Sequence, residues 1–248
     1  MHSSLLHGAC KVFDGDAPRL RPNGDQDVRI VYFAPKSLAR IIDTWHVSGM
    51  RGTGSHDIVV DDVFVPEEHT FSALDRRARV TGPMNRMHGF DLAGCGFCCV
   101  GLGVARAAID TFVELAQSKI PRSAPGLLRD RVMAQAQVGE AEALLRSGRA
   151  FLFDVVQEMW ETVHAKEFVS ERQRSDLRMA MTHAAQSAAT ATHMVCATAG
   201  TTSIFNESPL ERYARDAEVV TRHNQLQFVN YEAVGRTMLG LESNSPLF

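Results

Sequence analysis

Seven small or apolar residues, Ala141, Leu145, Gly148, Leu152, Val155, Met159 and Val163, recur at helical spacing inside the stretch from Leu127 to Ala165. That repeat draws one apolar stripe along a helix far longer than average, and such a stripe is buried only against other helices. Glu142 and Arg146 sit four apart on another face and are expected to pair. A second stripe, Leu177, Met181, Ala184, Ala188, Ala191 and Val195, follows Ser170 and Gln173, which fit a reciprocal N-terminal capping box. This helix is expected to stop at Gly200. Ser208, Pro209 and Glu211 give another start signal: an N-cap, a proline at the first helical position and a second capping box. The helix they open is expected to run to about His223, with a further helical stretch over Phe228–Leu241. Ahead of all these, Asp91–Ser118 reads as a helix whose glycines lower its propensity and allow close packing. Pro121 and Pro125 end it.

Before residue 75 the pattern is different. Val28–Phe33 (VRIVYF) and Asp57–Val65 (DIVVDDVFV) read as strands, each followed by proline, and Cys10–Phe13 as a shorter one. Asn23-Gly24 and the Gly49–Gly54 stretch mark turns. A basic linker, Asp75–Arg79, joins the two parts. The fold class is therefore mainly α with a partial β-domain: residues 1–75 form part of a sheet and residues 76–248 a four- or five-helix bundle. Long apolar stripes in a chain of this size call for a homodimer or homotetramer.

Composition narrows the functions. With 45% hydrophobic and 22% charged residues and a formal net charge of −3, the chain offers no basic surface for nucleic acid or anionic lipid. The most apolar stretch, around Leu92–Ala108, contains Arg106 and reads as a buried helix rather than a membrane span. The first residues lack the pattern of a secretory signal. Five cysteines, three of them crowded at Cys95, Cys98 and Cys99, suit reduced thiols in a cytoplasmic protein. The Cys95-x-x-Cys98 spacing lies in an apolar helical run without a second ligand pair, so packing explains it better than metal. His183 and His193, ten apart, form no helical metal pair. No nucleophile elbow, phosphate-binding loop or His-Glu-x-x-His is present.

Three segments carry a resemblance. Trp45–Pro66 (WHVSGMRGTGSHDIVVDDVFVP) resembles the turn that leads into the last strands of the middle β-domain in the acyl-CoA dehydrogenase superfamily. Ala199–Asp216 (AGTTSIFNESPLERYARD) and Ala217–Gly235 resemble its C-terminal helical domain. The variant with Ser55-His56-Asp57, and with His223 in the last segment, is similar to the flavin-dependent monooxygenase branch. The resemblance implies a C-terminal four-helix bundle of the acyl-CoA dehydrogenase type, preceded by the C-terminal half of the middle β-domain. It also implies that an N-terminal helical domain and earlier strands are missing, so that Cys10–Phe13 and Val28–Phe33 lack partners and expose their edges.

The activity implied is hydroxylation of a small aromatic substrate by the oxygenase component of a two-component system. Such a component uses reduced flavin, FAD or FMN, from a flavin reductase, together with O2. His223 is the implied catalytic residue, an imidazole able to act as acid or base near neutral pH. Thr201, Thr202 and Ser203, hydroxyls between two helices, are candidates to hold the flavin, and Ser55 is a further one. The bend at 201–203 and His223 are expected to face one isoalloxazine together. Arg212, Arg215 and Asp216 read as an interhelical salt-bridge set or as part of the cofactor rim.

Two other functions stay open at this level. Acyl-CoA oxidation needs a carboxylate base; the corresponding segment reads RHNQLQF, and Glu232 is the nearest candidate. A truncated, non-catalytic oligomerising bundle is the third reading.

Overall fold

The computed structural model describes residues 5–33, 39–72, 80, 82–87, 89–122 and 125–243. The chain forms two compact units, one of residues 1–46 and 51–79, the other of residues 47–50 and 80–248. The basic linker Asp75–Arg79 lies outside the described residues.

The first unit is built from short antiparallel strands. Strands β1 (Leu6–Lys11), β4 (Val28–Phe33) and β7 (Thr70–Ser72) form a three-stranded sheet in the order β1-β4-β7. Strands β2 (Phe13–Asp14) and β3 (Ala17–Pro18) make a small hairpin, and β5 (Ala39–Ile42) pairs with β6 (Asp57–Val60). Gly24, at φ +88°, makes the expected Asn-Gly turn, with its N–H on the Arg21 carbonyl at 2.9 Å.

Two expectations change here. The strands thought to lack partners pair with each other: Cys10 lies opposite Arg29 and Leu6 opposite Phe33. The chain returns on itself through hairpins that include the Asn-Gly turn, which brings Val28–Phe33 back beside Leu6–Lys11. The run Asp57–Val65 is not one strand. It stops at Val60, because Asp62 adopts φ +50° and turns the chain. Asp is one of the few side chains that tolerates this conformation.

The second unit is helical. Its helices are α1 (Gly89–Ser118), α2 (Val132–His164), α3 (Glu171–Ala199), α4 (Pro209–Val220) and α5 (Asn230–Met238). Helix α3 is the core helix, packed on α1, α2, α4 and α5. It can serve so many neighbours because alanine, at seven of its seventeen buried positions, lets them approach closely. All seven stripe residues of α2 and all six of α3 are buried. A fully buried leucine such as Leu152 contributes about 1.5–3 kcal/mol of apolar transfer.

The glycines of α1 divide as close packing requires. A Cβ on Gly94 would sit 2.2 Å from Gln225 Oε1, and one on Gly101 would sit 3.2 Å from Val220 Cγ1, whereas Gly96 and Gly103 face open space. Helix α1 is long and apolar enough to cross a membrane by length and composition. Its Arg106, however, is paired with Glu142 of α2 at 2.7 Å and with Asp110 at 3.0 Å, and its buried face carries Leu102, Ala105, Ile109 and Phe112 into the core.

The caps differ from each other. Ser170 and Gln173 form the reciprocal box in full. Ser208 makes no side-chain cap bond: the Glu211 N–H binds the Ser208 carbonyl at 3.2 Å, the Ser208 N–H binds the Phe205 carbonyl at 2.9 Å, and the Glu211 carboxylate accepts from Arg215 at 2.5 and 2.7 Å. Helix α2 begins at Val132 rather than Leu127; a single 3-10 turn, Leu128–Asp130, precedes it. Helix α4 ends at Val220, short of His223, and α5 spans less than the expected Phe228–Leu241.

Candidate functional site

His223 lies in the turn between α4 and α5, and several buried groups fix that turn. Leu226 is fully buried and Gln225 nearly so. The Leu226 N–H binds the His223 carbonyl at 2.8 Å, and the His223 N–H binds the Val220 carbonyl at 3.2 Å. Asn230, the first residue of α5, donates its side-chain amide to the Asn224 carbonyl at 3.3 Å and to Thr182 Oγ1 at 3.4 Å. The turn is thus tied to both α5 and α3.

The imidazole itself is half-buried. It lies against the Phe97 ring of α1 with centroids 4.0 Å apart and planes tilted by 39°. Its Nδ1 accepts the Gln225 backbone N–H at 3.3 Å. Burial pushes its pKa below the ordinary histidine value, and the positive charge of Arg178 pushes the same way. Both terms penalise the imidazolium, so the ring is neutral near neutral pH.

Arg178 is a residue that sequence reasoning missed. It is 2% exposed in α3, with Asp91 of α1, also buried, 3.9 Å away. Burial lowers the Arg178 pKa, and the Asp91 carboxylate opposes that shift. The only sequence signal was an arginine beside Leu177 at the edge of a buried stripe, facing an aspartate in the first turn of a glycine-rich helix.

The second candidate is the bend after α3. Gly200, at φ +62°, ends the helix, and residues 200–204 form a 3-10 turn. Lys119, just past α1, donates to the Ala199 carbonyl and to Thr202 Oγ1, the latter at 2.6 Å. Thr202 therefore accepts from the ammonium and keeps its own hydroxyl proton. Thr201 is exposed and, among the described residues, makes no side-chain hydrogen bond. Ser203 spends its proton on the Gly200 carbonyl at 2.8 Å. Beside the bend runs an open groove of about 440 Å³ lined by Thr111, Leu115, Thr202, Phe205 and Ser208 among others.

These two places are not one site within the chain. Leu115 borders the groove and Phe97 touches His223, and the two are separated by 18 helical residues of α1, roughly 27 Å at 1.5 Å per residue. The expectation that the bend and His223 face one flavin ring together does not hold inside a single copy, because eighteen residues of α1 lie between them. Ser55 belongs to the first unit, is exposed, and lies 3.3 Å from Thr53 Oγ1.

The Gly49–Gly54 turn has a clear mechanical role at its start. A Cβ on Gly49 would lie 2.3 Å from the Arg215 carbonyl oxygen, so only glycine lets this backbone meet α4. Met50, at φ +52°, donates its N–H to Asp216 Oδ1 at 2.5 Å, and Arg215 donates to the Ser48 carbonyl. Arg215 and Asp216 are accordingly not an interhelical salt-bridge set: they tie residues 48–50 to α4, while Glu211 pairs with Arg215 inside α4. The guanidinium of Arg212 lies over the Tyr213 ring at 5.4 Å.

Other reactive groups are quiet. All five cysteines are free. Burial pushes the Cys95 thiol up to about 11 and Cys98 to about 12, and Cys196 to about 11, so none of the three is a thiolate near neutral pH. No cluster of three or more His, Cys, Asp or Glu able to hold a metal exists among the described residues. Glu232, the candidate base for acyl-CoA chemistry, is exposed in the first turn of α5.

The fold and these sites define an α-helical bundle domain, with a small antiparallel β unit ahead of it, that presents a neutral histidine at one end and a hydroxyl-lined bend at the other. Residues 95–228 match the family model described as "Acyl-CoA dehydrogenase, C-terminal domain", and the chain belongs to this family. It is 40% identical over 240 residues to an indole-3-acetate monooxygenase of Pseudomonas putida, covering 96% of this chain and 61% of that protein. It is 29% identical over 231 residues to the oxygenase component of an FADH(2)-dependent resorcinol hydroxylase of Rhizobium sp. (strain MTP-10005), covering 84% of this chain and 55% of that one. Among solved structures it is similar to the 3-HSA hydroxylase from Rhodococcus sp. RHA1, with a TM-score of 0.85 at 25% identity, covering 100% of this chain and 64% of that one. The chain thus spans somewhat over half the length of the relatives it matches.

Proposed function

We propose that the chain forms the C-terminal part of the oxygenase component of a two-component, flavin-dependent monooxygenase that hydroxylates a small aromatic compound with reduced flavin and O2. The observation that carries the reading is the neutral imidazole of His223, held by a pinned turn, in the segment where acyl-CoA oxidation would need a carboxylate. The aromatic monooxygenases at 40% and 29% identity support the same assignment.

The residues present suit a flavin. Thr201 and Thr202 keep hydroxyl protons to donate, with the Lys119 ammonium beside them, a donor set matched to phosphate oxygens. Thr201 and Thr202 would hold the phosphate of FAD or FMN, and Ser203, committed to Gly200, would shape the bend. Bound reduced flavin supplies the activation of O2. The protein's part is to orient the aromatic substrate, exclude water and hold a proton at His223, with Phe97 as the apolar wall next to it.

A flavin reductase is the expected separate partner, in keeping with the "oxygenase component" in a relative's name. A homodimer or homotetramer is supported by the exposed apolar side of α1, where Phe90, Phe97 and Val100 remain 40–43% accessible. In such an assembly the bend of one copy can serve the cofactor whose ring lies at another copy's His223. Five free thiols support a reducing, cytoplasmic setting.

The test is hydroxylation of phenols and indole acids by the holoenzyme with reduced FMN or FAD, comparing wild type with His223→Ala. The expected result is hydroxylated product with wild type and a loss of about 10²–10⁴-fold in the variant. Unchanged turnover in His223→Ala removes His223 from the mechanism, and no product from any aromatic overturns the proposal.

A further inference from the structure

We infer that His223 works as a neutral hydrogen-bond donor through Nε2 and not as a proton-accepting base, its tautomer being fixed by the Gln225 backbone. This rests on the proposed function above for its role in catalysis, though not for the tautomer.

The geometry begins with the turn. A backbone N–H can only donate, so the Gln225 N–H at 3.3 Å claims the lone pair of Nδ1. A neutral imidazole has one bare and one protonated nitrogen, so its proton resides on Nε2. Gln225 cannot withdraw that N–H easily. Its side chain is 3% exposed, wedged where a Cβ on Gly94 would lie 2.2 Å from its Oε1, and the next residue, Leu226, is fully buried. The Phe97 ring fixes the plane of the imidazole from the α1 side. Among the described residues no hydrogen bond reaches Nε2. The ring therefore keeps its one available proton donor for a bound molecule.

The charged groups around the turn keep the ring in this state. Arg178 on α3 repels a second proton, while Asp91 on α1 sits 3.9 Å from Arg178 and faces that guanidinium. A base would need a bare nitrogen exposed to the substrate, and here the bare nitrogen is the one occupied. What remains is an electrophilic N–H that can bind the phenolic or carbonyl oxygen of an aromatic substrate and polarise it without transferring its proton. Enzymes are known to use a neutral imidazole in this way, its pKa lowered so that it donates a hydrogen bond and not a proton. Phe97 is then a positioning residue, acting through the ring it orients.

Two measurements test this. The first uses protein labelled with 15N in its histidine rings, with the His223 signals identified by their loss in His223→Gln, near neutral pH and without flavin or substrate. A pyridine-like Nδ1 with a protonated Nε2 is expected. A protonated Nδ1, or an imidazolium, overturns the inference. The second compares His223→Gln, whose amide N–H still donates, with His223→Glu, whose carboxylate only accepts, in the hydroxylation assay of the holoenzyme. Gln is expected to stay within about tenfold of wild type, and Glu to lose on the order of 10²–10³-fold, the usual cost of one catalytic donor. Glu equal to or better than Gln overturns the donor role. If wild type hydroxylates nothing, the proposed function fails while the ring spectrum still decides the tautomer.

Discussion

Gly139 and Gly148 lie in the same helix, α2, and should respond to alanine with opposite signs. Alanine is favoured over glycine in a helix interior by about 0.8–1 kcal/mol. At Gly139, exposed, a new Cβ meets nothing within 4 Å, so the whole propensity gain is realised. At Gly148 the new Cβ would sit 3.0 Å from the Ala184 Cα and 3.4 Å from the Ser187 Cβ, on the α3 side of the most closely packed helix pair in the bundle. The nearest atom is backbone, so relief requires α2 and α3 to move apart. Overpacking of this kind costs about 1–3 kcal/mol. Subtracting the propensity gain leaves Gly148→Ala destabilised by up to about 2 kcal/mol, while Gly139→Ala gains about 1 kcal/mol. For a unit of this size each kcal/mol moves the midpoint by roughly 2–4 °C, so the two variants should differ by several degrees.

Thermal and urea unfolding followed by helical circular dichroism would measure both. A control sharpens the argument. Because the clash is with Cα, adding Ala184→Gly should not rescue Gly148→Ala. If the two glycine variants shift stability equally, or if Ala184→Gly restores it, then α2 and α3 do not meet at Gly148 as described.

Three further outcomes follow from other parts of the bundle. Ser170→Ala should cost about 1 kcal/mol in urea unfolding, because both halves of its capping box are formed. Ser208→Ala should cost close to nothing, because its hydroxyl makes no cap bond. Leu152→Ala, at a position 2% exposed, should lose about 2–5 kcal/mol in the same measurement. The depressed pKa of His223 means that the unfolded chain binds more protons than the folded one as pH falls below about 6.5. Its contribution is therefore lost on acidification, and His223→Gln should show a flatter fall of stability with pH across that window than wild type does.

The helices were legible because their stripes are long and regular. Thirteen positions over α2 and α3 were read from spacing alone, and every one is buried. Burial of a periodic face needs no knowledge of the partner, only that one exists. The β unit was read less well because its short strands depend on which segment returns to pair with which, and no single-strand pattern contains that. Asp62 shows the same limit: a run of β-branched residues looks continuous until one positive φ breaks it. The Ser208 box failed for a chemical reason. The Ser208 N–H is taken by the Phe205 carbonyl and the Glu211 N–H by the Ser208 carbonyl, while the Glu211 carboxylate pairs with the arginine one turn ahead.

The site residues illustrate a further boundary. His223 could be singled out through the family resemblance, but its surroundings could not, since they are set by Arg178, Gln225 and Phe97, which lie 45, 2 and 126 positions away in the chain. An imidazole in isolation is equally an acid, a base or a donor. Burial and a neighbouring cation remove the acid, and a backbone N–H on Nδ1 removes the base, which leaves the donor. The separation of this ring from the bend at Thr201 and Thr202 along α1 carries the same lesson one level up. Under the proposed function, a cofactor that uses both would draw them from two copies, and the exposed apolar side of α1 and the distance between the two places both support that reading.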